Sequence, residues 1–558
     1  MPRDDHVDKP YLPNRKDIHL EKGTVMKSLM KKVFAAAAAI ATVFGLAATT
    51  VATANAAGGN ATLTVSTKDA KFAGKTVNAY KMFSATVSSD GKAVSYTLTD
   101  EWKPFFKNST ASGLTGDVTD ANVNDKANDY VSKLKNTDLV AFATKASNWA
   151  QNTANGIKVN KTTTVSSTAT DGKYTAAFNN LDYGYYVVAV PGATVADTNS
   201  QYATLVSVHS TSVTAEIKGN LPTVDKKVQV DGTGKDATDA KIGDTLTFTL
   251  TSTIPDMSAY GTYTFNFKDT LSKGLTFGQV DSVKVGDMTL TKDTDYTVTT
   301  PTASNNNTLT VAMKDFKTKQ QVNAGKKITV TYTATLNKDA VVGGAGNVNS
   351  ATIQYSNNPS TSGTGESEPS KVRIFTYGFT VDKYTGDKYA DDATRLAGAE
   401  FTLAPKNGTA ISFVQVTAGS ATENAVYRVA KADETGTTTI ITPKSGKVEF
   451  QGLKNGEYTL TETKAPAGYN KLASAIGVKV NGQNNGTDTT NATVTITYNN
   501  DNNGSNYDQT ASNGVIPVQN KSGAILPGTG GMGTIAFTVI GVLVIALGVA
   551  WTLKRKNA

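Results

Sequence analysis

Short runs that alternate apolar and polar residues recur along most of the chain, among them Ala61-Thr62-Leu63-Thr64-Val65, Thr245-Leu246-Thr247-Phe248-Thr249-Leu250, Ile328-Thr329-Val330-Thr331-Tyr332 and Thr493-Val494-Thr495-Ile496-Thr497. A period of two sends every second side chain to one face, so these runs predict strands with one wet side. Gly, Asn, Asp and Lys clusters between them supply the turns. Helical spacing is concentrated in one stretch, roughly Asn122 to Asn152, where Val131, Leu134, Leu139, Val140, Phe142 and Ala143 share a stripe. The expected fold is therefore mainly β, built as β-sandwiches in a row.

Two apolar runs break the alternation. From Met26 the chain reads Lys27, Lys31 and Lys32, then Val33 to Ala48, then the small-x-small triplet Ala54-Asn55-Ala56. This is the layout of a secretory signal over 26–56, cut after Ala56. Residues 1–25 precede it, carry charges of both signs and predict no structure. Near the other end Ile535 to Leu553 is free of charge and is followed by Lys554-Arg555-Lys556. Nineteen such residues suffice to cross a hydrocarbon core, and the basic cluster favours a cytoplasmic end.

Between these segments, breakers divide the chain. Lys218-Gly219-Asn220-Leu221-Pro222 ends a first domain, 57–218, which holds the helical insertion. A second runs over 222–358. The Pro-, Ser- and Gly-rich stretch 359–370 predicts a connector, and a third domain spans 371–520, leaving 521–558 as the terminal segment.

The chain has 55 basic and 47 acidic residues, but 8 basic and 5 acidic ones fall in 1–56 and 3 basic ones in 530–558, leaving 44 against 42. That near balance argues against nucleic-acid binding through a basic field. There is no cysteine, and of three histidines only His209 lies in 57–529. Thiolate zinc sites and cysteine nucleophiles are excluded, a histidine-based triad or metal cluster is strongly disfavoured, and neither a metal nor a cofactor is expected. An exported chain without disulfides must be braced in some other way.

Leu526-Pro527-Gly528-Thr529-Gly530, then the apolar span and its basic stop, resembles the cell-wall sorting signal of Gram-positive surface proteins. The resemblance implies that a sortase attacks the Thr529 carbonyl, releases Gly530 onward and passes the chain to an amine.

The two later domains open alike, with Val224-Asp225-Lys226-Lys227-Val228 and Phe379-Thr380-Val381-Asp382-Lys383. The third also contains Tyr458-Thr459-Leu460-Thr461-Glu462-Thr463-Lys464-Ala465-Pro466-Ala467-Gly468-Tyr469, similar to the E-box of Gram-positive pilins, and ends in Ile516-Pro517-Val518-Gln519-Asn520. It resembles a CnaB-type domain. Ile242-Gly243-Asp244-Thr245-Leu246-Thr247-Phe248, Phe267-Lys268-Asp269-Thr270-Leu271 and Asn349-Ser350-Ala351-Thr352-Ile353 make the second domain similar to the CnaA type. Gly74 to Lys81 and Leu181 to Val188 give the first a CnaB-like framework without an E-box, so no internal cross-link is expected there. The resemblance implies immunoglobulin-like sandwiches throughout. It also assigns Lys226 as amine, Asp269 as acid and Asn349 as carboxamide in the second domain, with Asn347 an alternative two residues away. In the third the same roles fall to Lys383, Glu462 and Asn520.

Those residue types suit one reaction. In an apolar core a lysine amine becomes neutral and a carboxylic acid keeps its proton, so the amine can attack the Asn carbonyl while the acid shuttles protons and ammonia leaves. The product, an isopeptide bond, takes the place of a disulfide.

The same resemblance implies the backbone subunit of a covalently polymerised pilus, anchored in the cell wall, that mediates adhesion. Thr529 would be joined by a pilus-specific class C sortase to an acceptor lysine of the next copy, and finally by a housekeeping sortase to peptidoglycan. Lys218 matches the acceptor by position, although Tyr-Pro is absent before it, and Lys227 is the second choice. Accessory and tip pilins are implied partners. The alternative is a monomeric wall-anchored adhesin sharing these domains. In neither case is the chain an enzyme beyond its attack on itself.

Overall fold

The computed structural model describes residues 60–194, 203–357, 362–386, 389, 394–483, 492–499, 507–523 and 532–556. The expected signal segment 26–56, the extension 1–25 and Leu526-Pro527-Gly528-Thr529-Gly530 lie outside the described residues. Strands dominate, as the period of two predicts.

The first domain contains β1 (Ala61–Thr67), β2 (Thr76–Val87), β3 (Val94–Leu98), β4 (Lys161–Thr164), β5 (Tyr174–Leu181), β6 (Gly184–Ala189), β7 (Ala203–Val208) and β8 (Ser212–Glu216). One sheet has the order β5-β1-β8, the other β3-β2-β6-β7 with β4 alongside β2. The helical stretch inserted between β3 and β4 includes α1 (Val123–Lys133) and α2 (Asn136–Gln151). The expected helical stretch, roughly Asn122 to Asn152, is divided into these two helices, because Leu134 is extended and Asn136 has a positive φ. The helices cover the second sheet with an aromatic layer in which Trp102, Phe105, Phe106 and Phe142 pack with Phe83 and Tyr185. That is why every residue of β6, Gly-Tyr-Tyr-Val-Val-Ala, is buried: its sheet has no wet face.

The middle domain follows with β9 (Asp225–Val230), β10 (Thr233–Lys235), β11 (Ala237–Asp239), β12 (Thr245–Thr253), β13 (Phe265–Leu271) and β14 (Leu275–Val285). It continues through β15 (Met288–Thr289), β16 (Tyr296–Thr299), β17 (Thr308–Met313), β18 (Lys327–Leu336), β19 (Asn347–Ser356), β20 (Thr364–Glu366) and β21 (Ser370–Phe375). Its sheets are β10-β9-β12-β18-β14-β15 and β11-β21-β19-β13-β17-β16, with β20 on β19. The expected connector 359–370 is thus partly strand. Ser370 to Phe375 pair with β19 and β11, which moves the boundary to Thr376. Residue spacing could not reveal this, since those partners lie far away in sequence.

The third domain holds β22 (Tyr377–Tyr384), β23 (Glu400–Pro405), β24 (Phe413–Thr417), β25 (Ala425–Val429), β26 (Ile440–Ile441) and β27 (Lys447–Leu453). Then come β28 (Gly456–Lys464), β29 (Ile476–Gln483), β30 (Thr493–Asn499), β31 (Gln509–Thr510) and β32 (Val515–Gln519). They form β24-β25-β27-β22-β32 and β26-β23-β28-β29-β30-β31. Only Thr376 separates β21 from β22, and it is buried with its hydroxyl donating to Leu453 O at 3.0 Å. Asn455 adds two hydrogen bonds to Asp239 of the middle domain, at 2.7 and 3.1 Å. The joint between these domains is therefore a packed contact. A last helix, α3 (Met532–Lys556), stands apart with exposed apolar side chains, and its Phe537–Lys556 portion has a mean hydropathy of 2.0, long and apolar enough to cross a membrane.

Within the third domain Gly482 lies against the buried Tyr377 ring, where an added Cβ would sit 2.0 Å from Tyr377 Cζ. The glycine is needed for space. Gly482→Ala should lower stability by about 1–3 kcal/mol, read as a lower chemical-denaturation midpoint; an unchanged midpoint would show that the ring can move aside.

Candidate functional site

Among the polar side chains buried in the two later domains are two sets that each bring together a lysine, an acid and an asparagine. In the middle domain Lys226 on β9 lies opposite Leu250 of β12, and its side chain enters the space between the sheets, 0% exposed. From the facing sheet come Asp269 on β13, opposite Ala351, and Asn349 on β19, opposite Leu271. Two residues apart in register, they share a face, and both are 0% exposed.

One further residue joins them. Tyr332 of β18 is stacked on Phe248 with centroids 5.3 Å apart, and its hydroxyl occupies the centre of the set. Lys226 Nζ donates to Tyr332 Oη at 2.8 Å and also to Asp269 Oδ2. Asn349 Nδ2 donates to the same phenol oxygen at 2.6 Å, and the phenol donates to Asp269 Oδ2 at 2.6 Å. Asp269 Oδ1 and Asn349 Oδ1 are buried and take no hydrogen bond. Desolvation pushes the Lys226 amine down to about 8 against the upward pull of Asp269. Burial, with Asp269 nearby, drives the Tyr332 phenol well above its ordinary value.

The third domain assembles the same types by another route. Lys383 on β22 pairs with Val518 of the parallel strand β32, and Asn520 directly follows that strand. Glu462 comes from β28 in the facing sheet. All three are buried. Lys383 Nζ lies 3.4 Å from Glu462 Oε1 and donates to Val518 O at 3.2 Å. Asn520 Nδ2 donates directly to Glu462 Oε2 at 3.0 Å and to Asn470 O at 2.9 Å, while Leu472 N–H donates to Glu462 Oε2 at 2.8 Å. Burial again pushes the amine down to about 8, opposed by Glu462. Asn520 Oδ1 and Glu462 Oε1 take no hydrogen bond.

The remaining expected residues are dispersed. Asn347 is buried, but its side chain is occupied by Val341 N–H, Val341 O and Ile374 O, away from the amine. Lys218 follows β8 and pairs with Glu216 Oε2 at 2.7 Å, its side chain 36% exposed. Lys227 faces outward to Asp225 and Asp236. In the described part of the first domain no lysine is buried. Tyr332 was not anticipated; its only signal is an inward register on β18, which any core aromatic shares. No group of His, Asp and Glu able to hold a metal occurs among the described residues.

Residues 242–359 match the family described as the Gram-positive pilin backbone subunit 2, Cna-B-like domain, and 382–496 match the SpaA prealbumin-like fold domain. The fimbrial subunit type 1 of Actinomyces viscosus is 26% identical over 505 residues, 83% of each chain. The chain is thus similar to Gram-positive backbone pilins and fimbrial subunits. Among solved structures the chain is similar to the full-length major pilin SpaD of Corynebacterium diphtheriae, at 20% identity, covering 84% of this chain and 98% of that one, TM-score 0.37. It is also similar to the T6 backbone pilin of Streptococcus pyogenes, at 20% identity over 76% and 83%, TM-score 0.41. The matched description of the middle domain is Cna-B-like, where the sequence motifs suggested the CnaA type. These likenesses are to structural backbone and fimbrial subunits.

The lowered lysine has a measurable consequence in a variant that retains the amine without its carboxamide. Between about 8 and the unfolded value of 10.5 the unfolded chain binds more protons, so the stability of Asn349→Ala should rise with pH across that window. Below about 8 the whole penalty applies. The gain should approach about 3 kcal/mol in denaturation at pH 7 to 10 relative to Asn349→Ala combined with Lys226→Met; matching profiles would mean that Lys226 keeps its solvation.

Proposed function

We propose that this pilin is the shaft subunit of a covalent fibre, cross-linked within its two later domains and joined end to end by sortase. What carries the reading is the pair of buried Lys–acid–Asn sets, each with an amine next to an acid and a carboxamide in the same dry space. Polar groups left unpaired in such a space are costly, and the unpaired oxygens here belong to the acid and carboxamide of each set. A proton held on the acid would polarise the carboxamide oxygen. The neutral amine then attacks Cγ, the C–N bond to Nδ2 breaks, and the proton lost by Nζ leaves with Nδ2 as ammonia.

The second covalent system joins subunits. A class C sortase would cleave between Thr529 and Gly530 and transfer the Thr529 carbonyl to Lys218 Nζ of the next copy, and a housekeeping sortase would attach the last one to peptidoglycan. Lys218 is favoured over Lys227 because it lies at the exit of the first domain with a partly exposed amine and a single carboxylate partner, whereas Lys227 is held between two. Adhesion through the fibre and accessory pilins complete the reading.

Each internal bond should lower a peptide-map mass by about 17 Da, joining Lys226 to Asn349 and Lys383 to Asn520. Unlinked peptides throughout would remove the cross-link reading. Losing the Lys383–Asn520 bond in Lys383→Ala should cost about 4–5 kcal/mol from the entropy of so long a closed loop, seen as a lower denaturation midpoint. Wall extracts of the producing cell should give a ladder on a denaturing gel that collapses in Lys218→Ala. A single band without the substitution would favour the monomeric adhesin, and a surviving ladder would move the acceptor elsewhere.

A further inference from the structure

We propose that Tyr332 is a catalytic residue of the middle-domain cross-link, carrying the proton by which Asn349 Nδ2 leaves as ammonia. The inference rests on the cross-link reading above and adds to it a third reacting group, absent from the Lys–acid–Asn set.

The argument begins with who touches whom. Asn349 makes one side-chain hydrogen bond, from Nδ2 to Tyr332 Oη, at 2.6 Å. Asp269 reaches the carboxamide nitrogen only through that phenol, which donates to Asp269 Oδ2 at 2.6 Å. Lys226 Nζ meets both, donating to the phenol at 2.8 Å. The third domain needs no such bridge, because Asn520 Nδ2 contacts Glu462 Oε2 itself at 3.0 Å. The same reaction thus has a direct acid in one domain and an acid acting through a hydroxyl in the other.

The protons balance along that chain. As Nζ bonds to Asn349 Cγ, it gives one proton to Asp269 Oδ2, while the proton already on Asp269 Oδ1 passes to the carboxamide oxygen and returns when that carbonyl re-forms. As the bond from Cγ to Nδ2 breaks, Tyr332 Oη gives its hydrogen to the departing nitrogen and receives the proton held by Asp269. Tyr332, Asp269 and their charges end as they began, with one ammonia lost. Burial keeps the phenol protonated, which suits a relay and excludes a resident base.

The site also fixes the hydroxyl. Tyr332 lies opposite Phe248 on one side and Val280 on the other, in the middle of its sheet. Its ring is stacked on Phe248 and tilted against Phe277 at 6.1 Å. Removing the oxygen alone leaves that packing in place.

The test uses the full chain, translated in a cell-free system, quenched at intervals and digested for mass spectrometry. In Tyr332→Phe the Lys226–Asn349 peptide should form about 10²-fold more slowly, while Lys383–Asn520 in the same molecules forms at the unmodified rate. Equal rates for the middle-domain peptide with and without the substitution would overturn the proposal. Absence of both linked peptides from the unsubstituted chain would instead overturn the cross-link reading itself. If Tyr332→Phe leaves the middle domain sensitive to protease, 3,5-difluorotyrosine incorporated at Tyr332 replaces it. A more acidic phenol of nearly the same shape should change the rate and its pH profile if it moves the proton, and an unchanged rate would count against the relay.

Discussion

Two lysine amines, shut away from water, are the constraint around which the later domains are organised. An ammonium in an apolar core is expensive to keep charged, so each amine must meet a carboxyl group, give up its proton or react. The surrounding sheets supply the enclosure. Lys226 lies near the Phe248 and Tyr332 rings, both 5.1 Å from its nitrogen, and Lys383 lies 6.0 Å from the Phe401 ring. In a chain without cysteine, those two enclosures stand where a small exported domain would otherwise place disulfides.

The two sites reach one constellation by different pairings. In the middle domain the acid and carboxamide share a sheet and the amine crosses from the other. In the third, amine and carboxamide come from neighbouring parallel strands, and the acid crosses. A bond in the first case would staple sheet to sheet. In the second it would fasten the first strand of the domain to the end of the last.

Much of this was legible because strand alternation is local. The lysine that follows Val-Asp points inward in both domains, and the E-box places Glu462 on the inner face of β28. The shared aspartate diverges: Asp225 is exposed, whereas Asp382 is buried against Arg395 at 2.7 Å. What stayed hidden depends on distant partners. Asn347 and Asn349 share an inward face in the sequence, and only the loop around Val341 and the strand carrying Ile374 occupy the first and leave the second for the amine. Tyr332 reads as an ordinary core aromatic until three strands bring their polar groups to its hydroxyl. The strand Ser370–Phe375 looked like the opening of the third domain because nothing in its own spacing names β19 as its neighbour.

The direct passage from β21 through Thr376 into β22 bears on how a subunit would stretch. With Lys218 as entry, Thr529 as exit and both proposed bonds formed, tension would run from Lys226 across to Asn349, onward to Lys383, and across again to Asn520. The arcs 227–348 and 384–519 would be bypassed, and the first domain would lie outside the line of pull. Of the described residues, 219–225, 350–357, 362–382 and 521–523 would then be left to pay out length, at no more than about 3.6 Å per residue. Within them β20 and β21 are held by hydrogen bonds to β19 and β11, so these short strands would act as the extensible element between two inextensible blocks.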